Sequence, residues 1–348
     1  MAANRSCWFG WGVTNTIKTL SLYAAQTERG ERPAPESLAA VRADGDLALH
    51  LRDAPAIARR LAELGRACPS TSWIVGTNTT SKRMLSRVLG PDAQPAPDAL
   101  NCGSGVPAGR IRRAEDGLRL TGRWPNVSGC EDADWAGLGL LDDGGAFAMA
   151  LVPVAELTVD RTWHMAGMRG TGSHTLVADD VPVPAERLAS LTMPSGGEKL
   201  TYALTVLAPL VGATHGALDA IGATFASDRK PFMSAYQKMS ESPGARHWLA
   251  EATHLANRAD QTMTAVAEAA TDETLNGADS ARFHMSLADA ARDCRAALDL
   301  MLDLHGAGGF ATSNPLQRFW RDVAVGSRHP HLNPYLAVEN YGTVVATS

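Results

Sequence analysis

Apolar residues recur at three- and four-residue spacing in two separated parts of the chain, and between those parts the pattern changes to short strand-like runs. Over 35–90, Leu51, Ile57, Leu61 and Leu64 fall near one face of a helix that Asp53 can cap and Gly65 can end. A second helix is expected over TSKRMLSRVLG, finishing at Gly90, after which Pro91, Pro95 and Pro97 forbid continuation. From about 100 to 190 the runs LRLTGRW, WAGLGLL, FAMALVPV and HTLVADDVPV read as strands, with turns at 142–145 (DDGG) and 170–173 (GTGS). Helical spacing returns over 200–227, 244–270, 279–304 and roughly 333–345. The pattern predicts an α+β fold in three parts: a short N-terminal helical domain (1–98), a middle antiparallel β-barrel domain (99–192) and a C-terminal helical bundle (193–348).

Composition narrows the function classes. The 348 residues carry 32 Lys plus Arg against 37 Asp plus Glu, a net charge of -5, so no basic field exists to hold a nucleic acid. The five cysteines, Cys7, Cys68, Cys102, Cys130 and Cys294, form no CxxC pair, which points to reduced thiols in a cytoplasmic protein. The N-terminus lacks the continuous apolar run of a signal peptide. The most membrane-like stretch, from Ala203, is interrupted by Pro209, His215 and Asp219 and reads as a helix buried among helices, with no membrane partner expected.

Several positions could carry chemistry. Ser128, beside Gly129 in WPNVSG, places a hydroxyl where a flat ring can come close, although a Ser-Gly pair also serves as a plain turn. The glycines of GMRGTGS are not a dinucleotide fingerprint, because a strand-like run follows where that motif needs a helix N-terminus. His329, in GSRHPHLNP, is a side chain whose unperturbed pKa suits proton transfer near neutrality, with His331 as a competitor. Arg321 and Asp322 read as a structural anchoring pair at a helix start, with Trp320 packed in the core. His247, Glu251 and His254 share one helical face with ExxH spacing, but a di-iron site needs a second ExxH that the chain lacks, so no metal is expected.

The segments LTGRWPNVSGCEDADW and HMAGMRGTGSHTLVADDVPVPAERL, with LHGAGGFATSNPLQRFWRDVAVGSRHPHLNPYLAVENYG near the C-terminus, resemble the acyl-CoA dehydrogenase superfamily. The resemblance is nearest to its branch of two-component flavin-dependent monooxygenases (group D hydroxylases), and covers about residues 100–345. It implies an oxygenase that takes reduced FMN or FAD from a separate flavin reductase. Through a C4a-hydroperoxyflavin the enzyme would hydroxylate a phenolic, polycyclic aromatic or amine substrate, in bacterial natural-product tailoring. On this resemblance Ser128 contacts the flavin N5 and His329 is the acid or base of oxygen transfer. Trp124, Val127, Thr171 and Ser173 lie at the flavin, and Arg229 meets a neighbouring subunit's flavin pyrophosphate. Trp163 and His331 border the substrate, with Trp124 and Trp163 as pocket walls. A homodimer or homotetramer is implied, and Gly212, Gly216 and Gly222 could serve close helix approach either between subunits or within one. The Gln that commonly precedes the Gly306–Gly309 break is absent, which makes FMN or a loosely held flavin easier to accept. Two other readings follow from the same family: an acyl-CoA dehydrogenase-like desaturase with bound FAD, and a flavin-less member acting as a cyclase or as a binding or scaffold protein.

Overall fold

The computed structural model describes residues 14–347 except 116, 232 and 273, so Cys7 and the N-terminal tryptophans lie outside the described residues. The chain opens with α1 (Asn15–Gly30), α2 (Pro35–Ala43), α3 (Ala54–Ala67) and α4 (Pro69–Ser86). Asp53 caps α3 as its sequence position suggests, accepting the Ala56 N–H at 2.8 Å. Two details differ from the expectation. Leu51 precedes the helix and is exposed, and Gly65 does not end it. Instead α3 crosses the long α5 (Gly196–Ala226) at Gly65, where an added Cβ would stand 2.5 Å from the Pro209 carbonyl oxygen. The stop comes at Cys68, because Pro69 starts a new helix in its first turn, where a missing N–H costs nothing.

The middle region is one seven-stranded sheet in the order β5-β6-β2-β1-β3-β4-β7. Its strands are β1 (Asn101–Ala114), β2 (Gly117–Val127), β3 (Trp135–Leu141), β4 (Phe147–Pro153), β5 (Thr158–Asp160), β6 (His174–Val183) and β7 (Leu188–Ser190). Neighbours are antiparallel except β1 and β3, which run parallel. β1 escaped the sequence reading because its first half, NCGSGVPAG, lacks alternation; its register breaks between Ser104 and Gly109, and Pro107 sits in that break.

The C-terminal part consists of α5, α6 (Pro243–Ala269), α7 (Gly277–His305), α8 (Pro315–Gly326) and α9 (Pro334–Thr347). α5 is long and apolar enough to cross a membrane, yet 83% of its most apolar window is buried against the other helices of this chain. α8 begins six residues before the helix start expected at Arg321 and is amphipathic. Leu316, Phe319 and Val323 face the core, and Asn314 caps it by accepting the Leu316 N–H. Arg321 and Asp322 therefore lie in mid-helix rather than at a helix start, and Phe319, not Trp320, is the core aromatic. Trp320 is half-buried and donates its indole N–H to Asp299 at 2.7 Å.

Candidate active site

Three segments distant in sequence meet where α4, the end of β2 and the chain after α8 come together. Trp73 of α4 is the junction: its indole N–H donates to Ser128 Oγ at 3.2 Å, and its ring meets His329 edge-on with centroids 5.6 Å apart. Ser128 and His329, the two residues singled out for catalysis, thus share one neighbour. Trp73 itself carried no motif, and the sequence reading passed over it.

Ser128 sits on a turn held from behind. Gly129, at φ +72°, donates its N–H to the Thr171 carbonyl at 2.8 Å, and a Cβ there would stand 3.0 Å from Ile74 of α4. Ser128 Oγ is 2.8 Å from Ser173 Oγ, which is 2.7 Å from Thr171 Oγ1. Thr171 donates to the Met168 carbonyl at 2.8 Å. The loop carrying these hydroxyls is clamped by α8: Met168 N–H donates to Asp322 Oδ1 at 2.6 Å, while Arg321 binds the Ala166 carbonyl and Glu28 of α1. The anchoring role read for Arg321 and Asp322 therefore has a definite object, the 166–173 loop. Burial raises the Asp322 carboxyl to about 6, against the pull of the Met168 N–H.

His329 stands in a cluster of imidazoles. Its ring centroid is 5.3 Å from that of His331, which is 6.4 Å from that of His284 on α7. All three are largely surrounded by protein but keep part of their surface open. Burial lowers His329 to about 3 and His331 to about 4, and lowers His284 as well; a second imidazole nearby adds to the effect for His329 and His331. The expectation that His329 titrates near neutrality is corrected for the free protein, because desolvation keeps its ring neutral. The His331 backbone N–H points at His329 Nδ1 at 3.4 Å, which leaves Nε2 to carry the proton of the neutral ring. His284 Nδ1 in turn donates to the Ser280 carbonyl at 2.8 Å.

The other expected residues divide. Trp163 is half-buried at the same place: its indole N–H donates to the Met168 carbonyl at 2.9 Å, and its backbone N–H to His174 Nδ1 at 3.1 Å. His174 is a second positioning group that the sequence reading missed. Thr171 and Ser173 are buried behind Ser128, so their side chains support it rather than touch a ligand. Trp124 and Val127 are corrected outright. Both are fully buried in the core of the sheet, where the Trp124 ring covers Gly109 and Gly122 and its N–H donates to the Gly139 carbonyl at 2.7 Å. They cannot wall an open pocket. Arg229 belongs to a different place: it grips His305 at the end of α7, its guanidinium 2.8 Å from His305 Nε2, and His305 with Asn314 and Thr224 lines a cavity of about 480 Å³. His247 and Glu251, 3.9 Å apart, lie exposed on α6 with His254, and among the described residues no group of three or more His, Cys, Asp and Glu is placed to share an ion.

The donor set suits a flavin ring. Ser128 keeps one oxygen lone pair beyond its two contacts, Trp163 offers a flat half-exposed face, and neutral His329 offers an N–H. Residues 204–334 match the family model for the acyl-CoA dehydrogenase C-terminal domain. The chain is 31% identical to the oxygenase component of an FADH2-dependent resorcinol hydroxylase of Rhizobium sp., covering 78% of this chain and 75% of that protein. It is 29% identical to the flavin-dependent monooxygenase oxygenase subunit HsaA of Rhodococcus jostii over 94% of this chain and 95% of that one, so the likeness extends into the N-terminal helices. The solved structure of XiaF from Streptomyces sp., in complex with FADH2 and glycerol, superposes with a TM-score of 0.86 at 28% identity, covering 95% of this chain and 93% of XiaF.

Proposed function

The chain belongs to the oxygenase components of the two-component flavin-dependent monooxygenases, within the acyl-CoA dehydrogenase superfamily, and from that membership we propose that it hydroxylates a phenolic or related aromatic substrate using reduced flavin and O2. The observation that carries this reading is the convergence of Ser128 and His329 on Trp73.

When bound, reduced FMN or FAD supplies the two electrons with which O2 is divided between the hydroxylated product and water. The chain's own groups do the rest. Ser128 Oγ would hold the flavin ring edge at N5, and the 166–173 loop, clamped by Asp322 and Arg321, keeps that hydroxyl in place. His329 presents its Nε2 proton to the substrate oxygen. That N–H would stabilise negative charge on the substrate oxygen, and because Nδ1 is held by the His331 N–H the ring acts there as a hydrogen-bond donor and not as the base that takes the substrate's proton. Trp163, His331 and Trp73 would exclude water around that contact. Arg229, beside the cavity lined by His305, is assigned to a flavin phosphate from a second subunit of a homodimer or homotetramer. A diffusible flavin reductase is the partner that supplies the cofactor, and the cytoplasm is the compartment we assign. Desaturation of an acyl thioester would need a carboxylate over the substrate, whereas the groups meeting here are hydroxyls and imidazoles.

The experiment measures product and hydrogen peroxide per reduced flavin for the wild type and for His329→Ala with a panel of phenols. Wild type should couple reduced flavin to product, and His329→Ala should bind flavin normally while product per flavin falls by about 10²-fold or more, with peroxide rising. Unchanged coupling in the variant would remove His329 from the chemistry.

A further inference from the structure

We propose that the hydroxyls behind Ser128 form a one-way hydrogen-bond relay that makes Ser128 an obligate acceptor, so that the site selects the flavin whose N5 carries hydrogen. This rests on the assignment of Ser128 to N5 made above. The direction is forced link by link. The Met168 carbonyl can only accept, so Thr171 must spend its single hydroxyl proton on it, at 2.8 Å. Thr171 can then only accept from Ser173, at 2.7 Å, and Ser173, its proton spent, can only accept from Ser128, at 2.8 Å. At the other end the indole of Trp73 can only donate, and it donates to Ser128 at 3.2 Å. Ser128 therefore has no proton left to donate and keeps one lone pair with which it can accept.

Reduced flavin has an N–H at N5, which that lone pair accepts. Oxidised flavin has a bare nitrogen lone pair there, and two acceptors facing each other in a dry site are repulsive. Thr171, Ser173 and Trp73 are thus positioning residues that set the redox preference without touching the flavin. Trp163 adds to the same end, since its N–H also occupies the Met168 carbonyl and helps hold it as a terminus.

The test is anaerobic titration of wild type, Ser128→Ala, Ser173→Ala, Thr171→Val and Thr171→Ser with oxidised and with reduced FMN and FAD, read as the ratio of the two Kd values and as the midpoint potential of the bound flavin. Ser173→Ala and Thr171→Val release the Ser128 proton to turn toward a bare N5. The oxidised-to-reduced Kd ratio should fall about tenfold in both, a drop of about 30 mV for a two-electron couple, while Thr171→Ser keeps the wild-type ratio. If Ser128→Ala shifts the ratio and neither relay variant does, the relay is wrong and the Ser128 contact stands. If Ser128→Ala also leaves it unchanged, the N5 assignment falls, and if wild type binds neither flavin the proposed function falls with it.

Discussion

Trp73 donates its indole N–H to Ser128 at 3.2 Å while its ring edge meets His329, so a single side chain from α4 sets the spacing between a hydroxyl on the turn after β2 and an imidazole in the chain after α8. Trp73→Phe keeps most of the ring and removes the donor. One hydrogen bond to a buried hydroxyl contributes about 0.5–1.5 kcal/mol. The variant should remain folded, bind reduced flavin about 2- to 10-fold more weakly, and lose product per flavin through a less constrained Ser128. Fluorescence titration with reduced flavin, set beside product yield, checks both effects.

Asp322 is expected to matter more for the loop than for proton transfer. Met168 holds a left-handed backbone at φ +52°, which costs about 1 kcal/mol for a residue with a side chain, and its N–H is satisfied by Asp322. Asp322→Ala leaves that N–H unpaired in a buried place, a loss of about 1–3 kcal/mol. Asp322→Asn can accept the same bond through its Oδ1 and should lose far less. Denaturant unfolding of the two variants should rank them in that order; equal losses would show that the carboxylate's charge, not its acceptor, anchors the loop.

Much of this architecture was legible in the chain, and the exceptions share physical causes. β3 and β6 were read at their full extent and α7 to within two residues of its start, because their apolar positions keep one period between clear breaks. α4 was read only in its second half. Its first turns bury Ser70, Thr71, Ser72, Asn78 and Thr79, so no apolar stripe marks the buried face; Ser72, Asn78 and Thr79 bond to backbone instead, at the carbonyls of Leu61 (2.6 Å), Leu47 (3.0 Å) and Val75 (2.8 Å). That hidden stretch contains Trp73, which is why the link between Ser128 and His329 could not be seen from their separate motifs. The depth of His329 was equally invisible, since desolvation depends on neighbours such as Trp73 of α4 that spacing does not reveal.

Buried imidazoles should make the fold sensitive to acid. His50, His215 and His331 are lowered to about 4 and His329 to about 3, each mainly by burial. The unfolded chain binds protons at these groups from the ordinary value of 6.5 downward, whereas the folded chain resists until about 4 or 3, so stability falls as pH drops through that window. Each group contributes at most about 1.4 kcal/mol per pH unit. Asp322 works in the opposite sense, gaining stability as pH falls from about 6 toward 3.8, and offsets part of the slope. Urea unfolding from pH 7 to pH 4.5 should show a steep decline, and His329→Gln should flatten it by about one proton. A flat profile in the wild type would mean that these rings are hydrated in the folded state.

The glycines of α5 show whether small residues there serve this chain's own core. Gly212 packs on the backbone of α3 at Ala62 and Arg66, and Gly216 packs on the Arg66 carbonyl and Phe319, whereas Gly222 is exposed with nothing within 4 Å of an added Cβ. Gly212→Ala must push apart two helices whose contact is buried on both sides, at a cost of about 1–3 kcal/mol or more. Gly222→Ala adds a methyl to open space and removes the helix penalty of glycine, a gain of up to about 1 kcal/mol. The two variants should therefore shift Tm in opposite directions by calorimetry. Native mass measured alongside separates the remaining alternative: if Gly222 is a point of contact between subunits, its alanine variant will lose stability and dissociate, and if it is a solvent-facing helix position the assembly will be unchanged.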